Sequence, residues 1–153
     1  MRFPTLALGF ALLLAGASAA FAHGYQSGAV RVEHPWAAAT PSGANVGAAY
    51  MTIRNTGDVP IRLTGAITPA AERVELHEMT MAGGIMRMRP LTQGVVVPAR
   101  GSFRFAPGGA HLMLIGLRKA LVLEEFIDLR LVFADGRTVD VELYVEAAAS
   151  HAH

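Results

Sequence analysis

The chain has 153 residues, no cysteine, and a near balance of charge, with 13 Lys and Arg against 12 Asp and Glu. That length suits one domain, and the lack of a net positive field argues against nucleic acid or an acidic membrane face as partner. A cysteine-free sequence offers no disulfide, no thiol redox chemistry, no Cys nucleophile, no Cys-borne lipid and no thiolate metal site.

The first 22 residues differ from the rest. Arg2 precedes an apolar stretch from Leu6 to Leu14, broken only by Gly9, and Ala20-Phe21-Ala22 fits an A-x-A cleavage site. This pattern predicts a secretory signal peptide over 1–22, a mature chain beginning at His23, a periplasmic location and no stable membrane insertion once the signal is removed. An uncleaved anchor is the alternative, disfavoured because the run is short for a span and ends in small residues.

From there the chain reads as β structure. Short apolar or alternating runs lie at Ala29–Glu33, Gly47–Arg54, Ile61–Ile67, Arg73–Met79, Ile85–Arg89, Ser102–Phe105, Ala110–Leu117, Phe126–Phe133 and Thr138–Val145. Between them stand turn sequences such as Asn55-Thr56-Gly57-Asp58, Ala82-Gly83-Gly84, Pro107-Gly108-Gly109 and Asp135-Gly136. These predict a single all-β domain, a sandwich or barrel over 23–146. Leu117–Glu125 is the one stretch suited to a helical turn. Residues 147–153, rich in Ala with two histidines, predict a flexible tail.

Motifs for acyl, phosphoryl and nucleotide chemistry are absent: the sequence has no G-x-S-x-G, no phosphate-cradling loop and no G-x-G-x-x-G. His77-Glu78 begins like a zinc-protease helix, but position 81 is Met. The carboxylates Glu124, Glu125, Asp135 and Asp140 are expected on solvated faces. The chain is read as a non-enzyme.

Chemistry concentrates between residues 77 and 113. His77 and Met79, Met86 and Met88, and His111 and Met113 are each two apart, so on strands each pair shares a face. Thioether is a soft neutral ligand and imidazole is borderline. A cluster of both, without thiolate, selects Cu(I) over zinc, calcium or magnesium. Core methionines beside incidental histidines are the competing reading, and Met51, far from the cluster, is assigned to the core.

At these residues the sequence resembles the PCuAC family of periplasmic Cu(I) chaperones, whose motif is a His, ten residues, a Met, twenty-one residues, then His-x-Met. Here His77 and Met88 keep the first spacing, whereas twenty-two residues separate Met88 from His111-Leu112-Met113. The extra residue is expected in the turn Leu91-Thr92-Gln93-Gly94, because an insertion within a strand would invert its faces. The blocks His34-Pro35-Trp36-Ala37, Ala49 to Ile53, Asn55-Thr56-Gly57 and Val74 to Glu78 extend the resemblance over nearly all of 30–145. It implies a cupredoxin-like Greek-key β-sandwich with an exposed Cu(I) site at His77, Met88, His111 and Met113. It also implies delivery of copper toward the dinuclear centre of cytochrome c oxidase, to the copper-bearing subunit or alongside a thioredoxin-like assembly factor. Met79, Met81 and Met86 are read as auxiliary thioethers or as packing. A thiolate-dependent blue-copper site is ruled out.

The chain ends suggest other functions. The amine and imidazole of His23, with His151 and His153, offer nitrogen donors suited to Cu(II). This leaves open a periplasmic Cu(II) carrier or resistance protein, and more weakly a copper monooxygenase with an N-terminal histidine brace. A metal-free immunoglobulin-like interaction module would leave the His/Met window unexplained.

Overall fold

The computed structural model describes residues 24–148. The candidate signal segment, His23, His151 and His153 lie outside the described residues. Among the described residues eleven strands form: β1 (Gly24–Ser27), β2 (Val30–Ala38), β3 (Val46–Asn55), β4 (Ile61–Ile67), β5 (Ala71–Ala82), β6 (Ile85–Pro90), β7 (Val95–Val97), β8 (Ser102–Phe105), β9 (Ala110–Leu117), β10 (Phe126–Phe133) and β11 (Thr138–Glu146). All nine runs expected from the sequence are strands. Among the described residues none forms a helix long and apolar enough to cross a membrane.

One hydrogen-bonded path runs β6-β5-β9-β3-β2-β11-β10-β4-β7. Within it, β2 and β3 each change partners midway. Residues 30–33 of β2 pair with β1, whereas Trp36 to Ala38 run parallel to Tyr144 to Glu146 of β11. Likewise the first half of β3 pairs with β9 and its second half, Met51 to Arg54, with β8. The break in β2 falls at His34-Pro35, where the register with β3 shifts and His34 takes φ 48°. Proline donates no ladder hydrogen bond, so it sits where the ladder is interrupted. The result is a cupredoxin-like β-sandwich.

Alternation places the core. β10 and β11 bury every second residue, Ile127, Leu129, Leu131 and Phe133 against Val139, Val141, Leu143 and Val145. Leu76, Leu112 and Leu114 do the same from β5 and β9, and Met51 is buried in the core as expected. Burying an aliphatic side chain of this size contributes roughly 1.5–3 kcal/mol.

Two strands and one loop differ from the sequence expectation. β1 carries no apolar alternation and exists through its pairing with β2. β7 is three valines between Gly94 and Pro98, too short to show a period. The segment 117–125 forms no helix. Leu121 is buried, its N–H donates to Thr40 Oγ1 at 2.9 Å, and its carbonyl accepts from the Thr40 N–H at 3.0 Å. Tertiary anchoring to the β2–β3 connection replaces the local helical turn.

Candidate metal centre

The turn Ala82-Gly83-Gly84-Ile85 sets the site's register. Both glycines have positive φ, 59° and 78°, as a two-residue hairpin loop requires. Ala82 therefore faces Ile85, Met81 faces Met86, Met79 faces Met88 and His77 faces Pro90. On the other edge of β5, His77 faces His111 and Glu75 faces Met113. Directly opposed residues share a face. Glu75, His77, Met79 and Met81 of β5, Met86 and Met88 of β6, and His111 and Met113 of β9 thus all lie on the outward face of this three-stranded part, with Leu76, Leu112 and Leu114 beneath.

The donors form rows across the strands. One row holds His77 and His111, whose ring centroids lie 5.9 Å apart. Met113 is one row to one side of it and Met88 one row to the other, both within reach of long side chains on diagonal neighbours. His77, Met88, His111 and Met113 are therefore brought to one patch. Met79 lies beside Met88, and Met81 and Met86 form a further row toward the hairpin tip. Leu91-Thr92-Gln93-Gly94 lies outside the strands, between β6 and β7. Gly94 there has φ 73°, and a Cβ added to it would run into the Leu63 carbonyl.

Hydrogen bonding fixes both imidazoles. His77 Nε2 lies 2.8 Å from Glu75 Oε2, and His111 Nδ1 lies 3.2 Å from the Gly109 carbonyl. Carboxylate and carbonyl only accept, so each ring donates there. The neutral His77 then holds its lone pair on Nδ1 and His111 on Nε2. His77 Nδ1 is buried and has no hydrogen-bond partner. Such an atom is costly unless something else takes the lone pair. Glu75 was not singled out as a site residue by sequence reasoning, although its position two before His77 is the signal that places it on the same face. Its carboxyl is held below the ordinary carboxylate range, first by the Arg73 guanidinium at 2.9 Å and then by His77.

Two aromatic residues missed by sequence reasoning flank the patch. β3 leaves β9 after the Ala49–Leu112 pair, which sets Tyr50 level with His111 on the same face. Trp36 stacks on Tyr50 with centroids 4.6 Å apart, and burial raises the Tyr50 hydroxyl's pKa. The block His34-Pro35-Trp36-Ala37 contained the clue, since the bulge at Pro35 turns Trp36 to this side. A cleft of about 720 Å³ near the bulge is lined by His34, Trp36, Phe126 and Tyr144 among others, and by none of the four donors. Among the described residues no three His, Cys, Asp or Glu side chains are grouped to hold a metal.

The family model described as "Putative lipoprotein LpqE-like" matches residues 30–145. The chain belongs to the LpqE-like family. It is 35% identical over 123 residues to the "Putative lipoprotein Lxx21020" of Leifsonia xyli subsp. xyli, covering 80% of this chain and 73% of that protein. Unlike a protein lipidated on cysteine, this LpqE-like sequence contains no Cys among its 153 residues. Its fold is that of PCuAC domains. The copper-bound PCuAC domain from PmoF2 is similar with a TM-score of 0.69 and 27% identity, covering 82% of this chain and 98% of that one. The Cu(I) form of DR1885 from Deinococcus radiodurans is similar with a TM-score of 0.56 and 37% identity, over 73% of this chain and 74% of that one.

Proposed function

We propose that this LpqE-like protein is a periplasmic copper chaperone that binds one Cu(I) through His77 Nδ1, His111 Nε2 and the sulfurs of Met88 and Met113. The observation that carries this reading is the opposed pair His77–His111, with a buried, unpartnered Nδ1, set between two methionines on one outward face. The ligand set is neutral and soft, so it favours the monovalent ion. The imidazoles are largely buried while Met88 is 46% exposed, so a recipient's ligand would reach the ion from the Met88 side. Copper-bound PCuAC domains and the Cu(I) form of DR1885 support the metal and its oxidation state by analogy. Glu75 acts as a positioning residue, holding the His77 ring and its tautomer.

The cargo's destination is proposed as the dinuclear copper centre of cytochrome c oxidase, reached through its copper-bearing subunit or a thioredoxin-like assembly factor. No reaction is assigned to the protein itself.

Anaerobic titration with Cu(I) against a competing chelator tests the site. Met88→Leu and Met113→Leu keep volume and apolarity, so each should cost less than about 1.5 kcal/mol of stability. Their Cu(I) affinity should fall by more than the ~10–100-fold typical of losing an outer-shell partner. Unchanged affinity in both variants would refute the assignment. Transfer to the recipient is a separate measurement: the loaded protein should metallate a copper-free oxidase subunit, and failure would leave the site intact but remove the destination.

A further inference from the structure

The outer half of the β5–β6 hairpin carries methionines that the central site does not use. Met79 and Met88 form one cross-strand row, and Met81 and Met86 the next. Met81 is 67% exposed and Met86 49%, so these side chains are not core filler. The hairpin's other face is of the opposite kind. There Glu78 pairs with Arg89 at 2.7 Å, and Thr80 faces Arg87. One face of the ribbon is polar up to the Ala82–Ile85 pair at its tip, and the other presents only thioethers over this outer half and points away from the hydrophobic core.

We propose that Met79, Met81 and Met86 form a second, all-thioether site for a soft monovalent ion, Cu(I) or Ag(I), beside the central one. The two-glycine loop fixes the register, which holds the three side chains on adjacent positions of one face: Met81 and Met86 directly opposed, with Met79 two residues from Met81. Cβ atoms of opposed residues lie about 5 Å apart, and the flexible thioether arm lets the sulfurs converge on one ion. The set has no charge and no nitrogen or oxygen donor, so it discriminates against zinc, magnesium and calcium. Being exposed and free of imidazole, it binds independently of the histidines. Met88 of the central site and Met79 of the hairpin site are directly opposed, so an ion on the hairpin can exchange thioether for thioether into the central site with no change of oxidation state.

Ag(I) titration of the protein with isotope-labelled methionine methyl groups reads both sites in one experiment. The first equivalent should shift the methyl signals of Met88 and Met113 together with the rings of His77 and His111. A second should shift Met79, Met81 and Met86. The triple variant Met79→Leu, Met81→Leu, Met86→Leu should bind one equivalent instead of two and keep the first. A His77→Ala, His111→Ala variant should lose the first pattern and keep the second, which separates failure of the hairpin site from failure of the central one. Methyl signals of Met79, Met81 and Met86 that stay fixed as Ag(I) is added to the unmodified protein would overturn the proposal, whatever the variants' folding. So would a triple variant that still binds two equivalents.

Discussion

The outward faces of the β10–β11 pair and of the β6–β5–β9 group are built on the same two-residue alternation, yet they carry different chemistry. On β10 and β11 the outward positions include Arg130 opposite Asp140, joined by two hydrogen bonds of 2.6 and 3.0 Å, with Asp128 and Glu142 beyond them. On the other group the outward positions are imidazole and thioether, and Glu75 is the one carboxylate among the donor rows. Where the inner faces meet the core they do not differ in kind, since Leu76, Leu112 and Leu114 are buried as the aliphatic residues of β10 and β11 are, whereas β6 is exposed along its whole length. A strand's inward residues therefore state where the core is, while its outward residues state what the surface is for.

The comparison would break most severely if the shared inner layer failed. Leu112 is fully buried, and its strand neighbours His111 and Met113 lie on the opposite face of β9. Leu112→Ala should cost about 2–5 kcal/mol of stability, measured by denaturant unfolding. A near-neutral result would mean that β9 does not anchor the site to the core. Next in size is Glu75→Ala, which removes the acceptor for the His77 ring. Cu(I) affinity should fall by ~10–100-fold, with much of the loss restored in Glu75→Gln, which keeps an acceptor oxygen. If neither variant changed affinity, Glu75 would have no positioning role.

A smaller effect is expected from pH. Protons compete with copper for the two imidazole lone pairs and not for the thioethers. Cu(I) affinity should decline as pH falls from about 7 to about 5 without vanishing. A flat profile would remove both histidines from the ligand set.

The smallest effect belongs to the charged face. Arg130's donated hydrogen bonds hold the Asp140 carboxyl below its ordinary value of 3.8. Because the folded-state pKa is the lower one, the pair's contribution is present above that ordinary value and is lost as pH falls through the folded one. Exposed pairs of this kind contribute little. Asp140→Asn should scarcely move the melting temperature near neutral pH and should make its decline in acid shallower. Identical acid limbs would show that the pair has no net effect on stability. Copper binding should be untouched, and any change there would link the two faces.

Much of this was legible in the sequence because alternation is a local signal. The nine runs, the Met51 core position and the spacing of His77, Met79, His111 and Met113 all depend on parity along a strand. What remained hidden depends on contact between distant segments. Val95–Val97 is too short to announce itself and Gly24–Ser27 has no periodicity, so each is a strand only through its partner. The Leu117–Glu125 segment has local helical character but is pinned open by Thr40. In the site, donor types could be read directly, whereas the opposition of His77 and His111 follows from cross-strand register. The same register brings Tyr50 and Trp36 alongside, and no pattern within β2 alone predicts that.

The buried lone pair of His77 also bears on how long a molecule survives. An unsatisfied buried polar atom costs on the order of 1–3 kcal/mol, a sizeable share of the ~5–15 kcal/mol by which a domain this size is stable. Cargo that binds only the folded chain offsets that cost and adds stability that grows with the logarithm of its free concentration above the dissociation constant. The empty protein is then the form cut sooner by protease, and the loaded one the form that persists. Abundance would follow copper supply without any gene being regulated, a dependence that limited proteolysis with and without Cu(I) would expose as a difference in half-life.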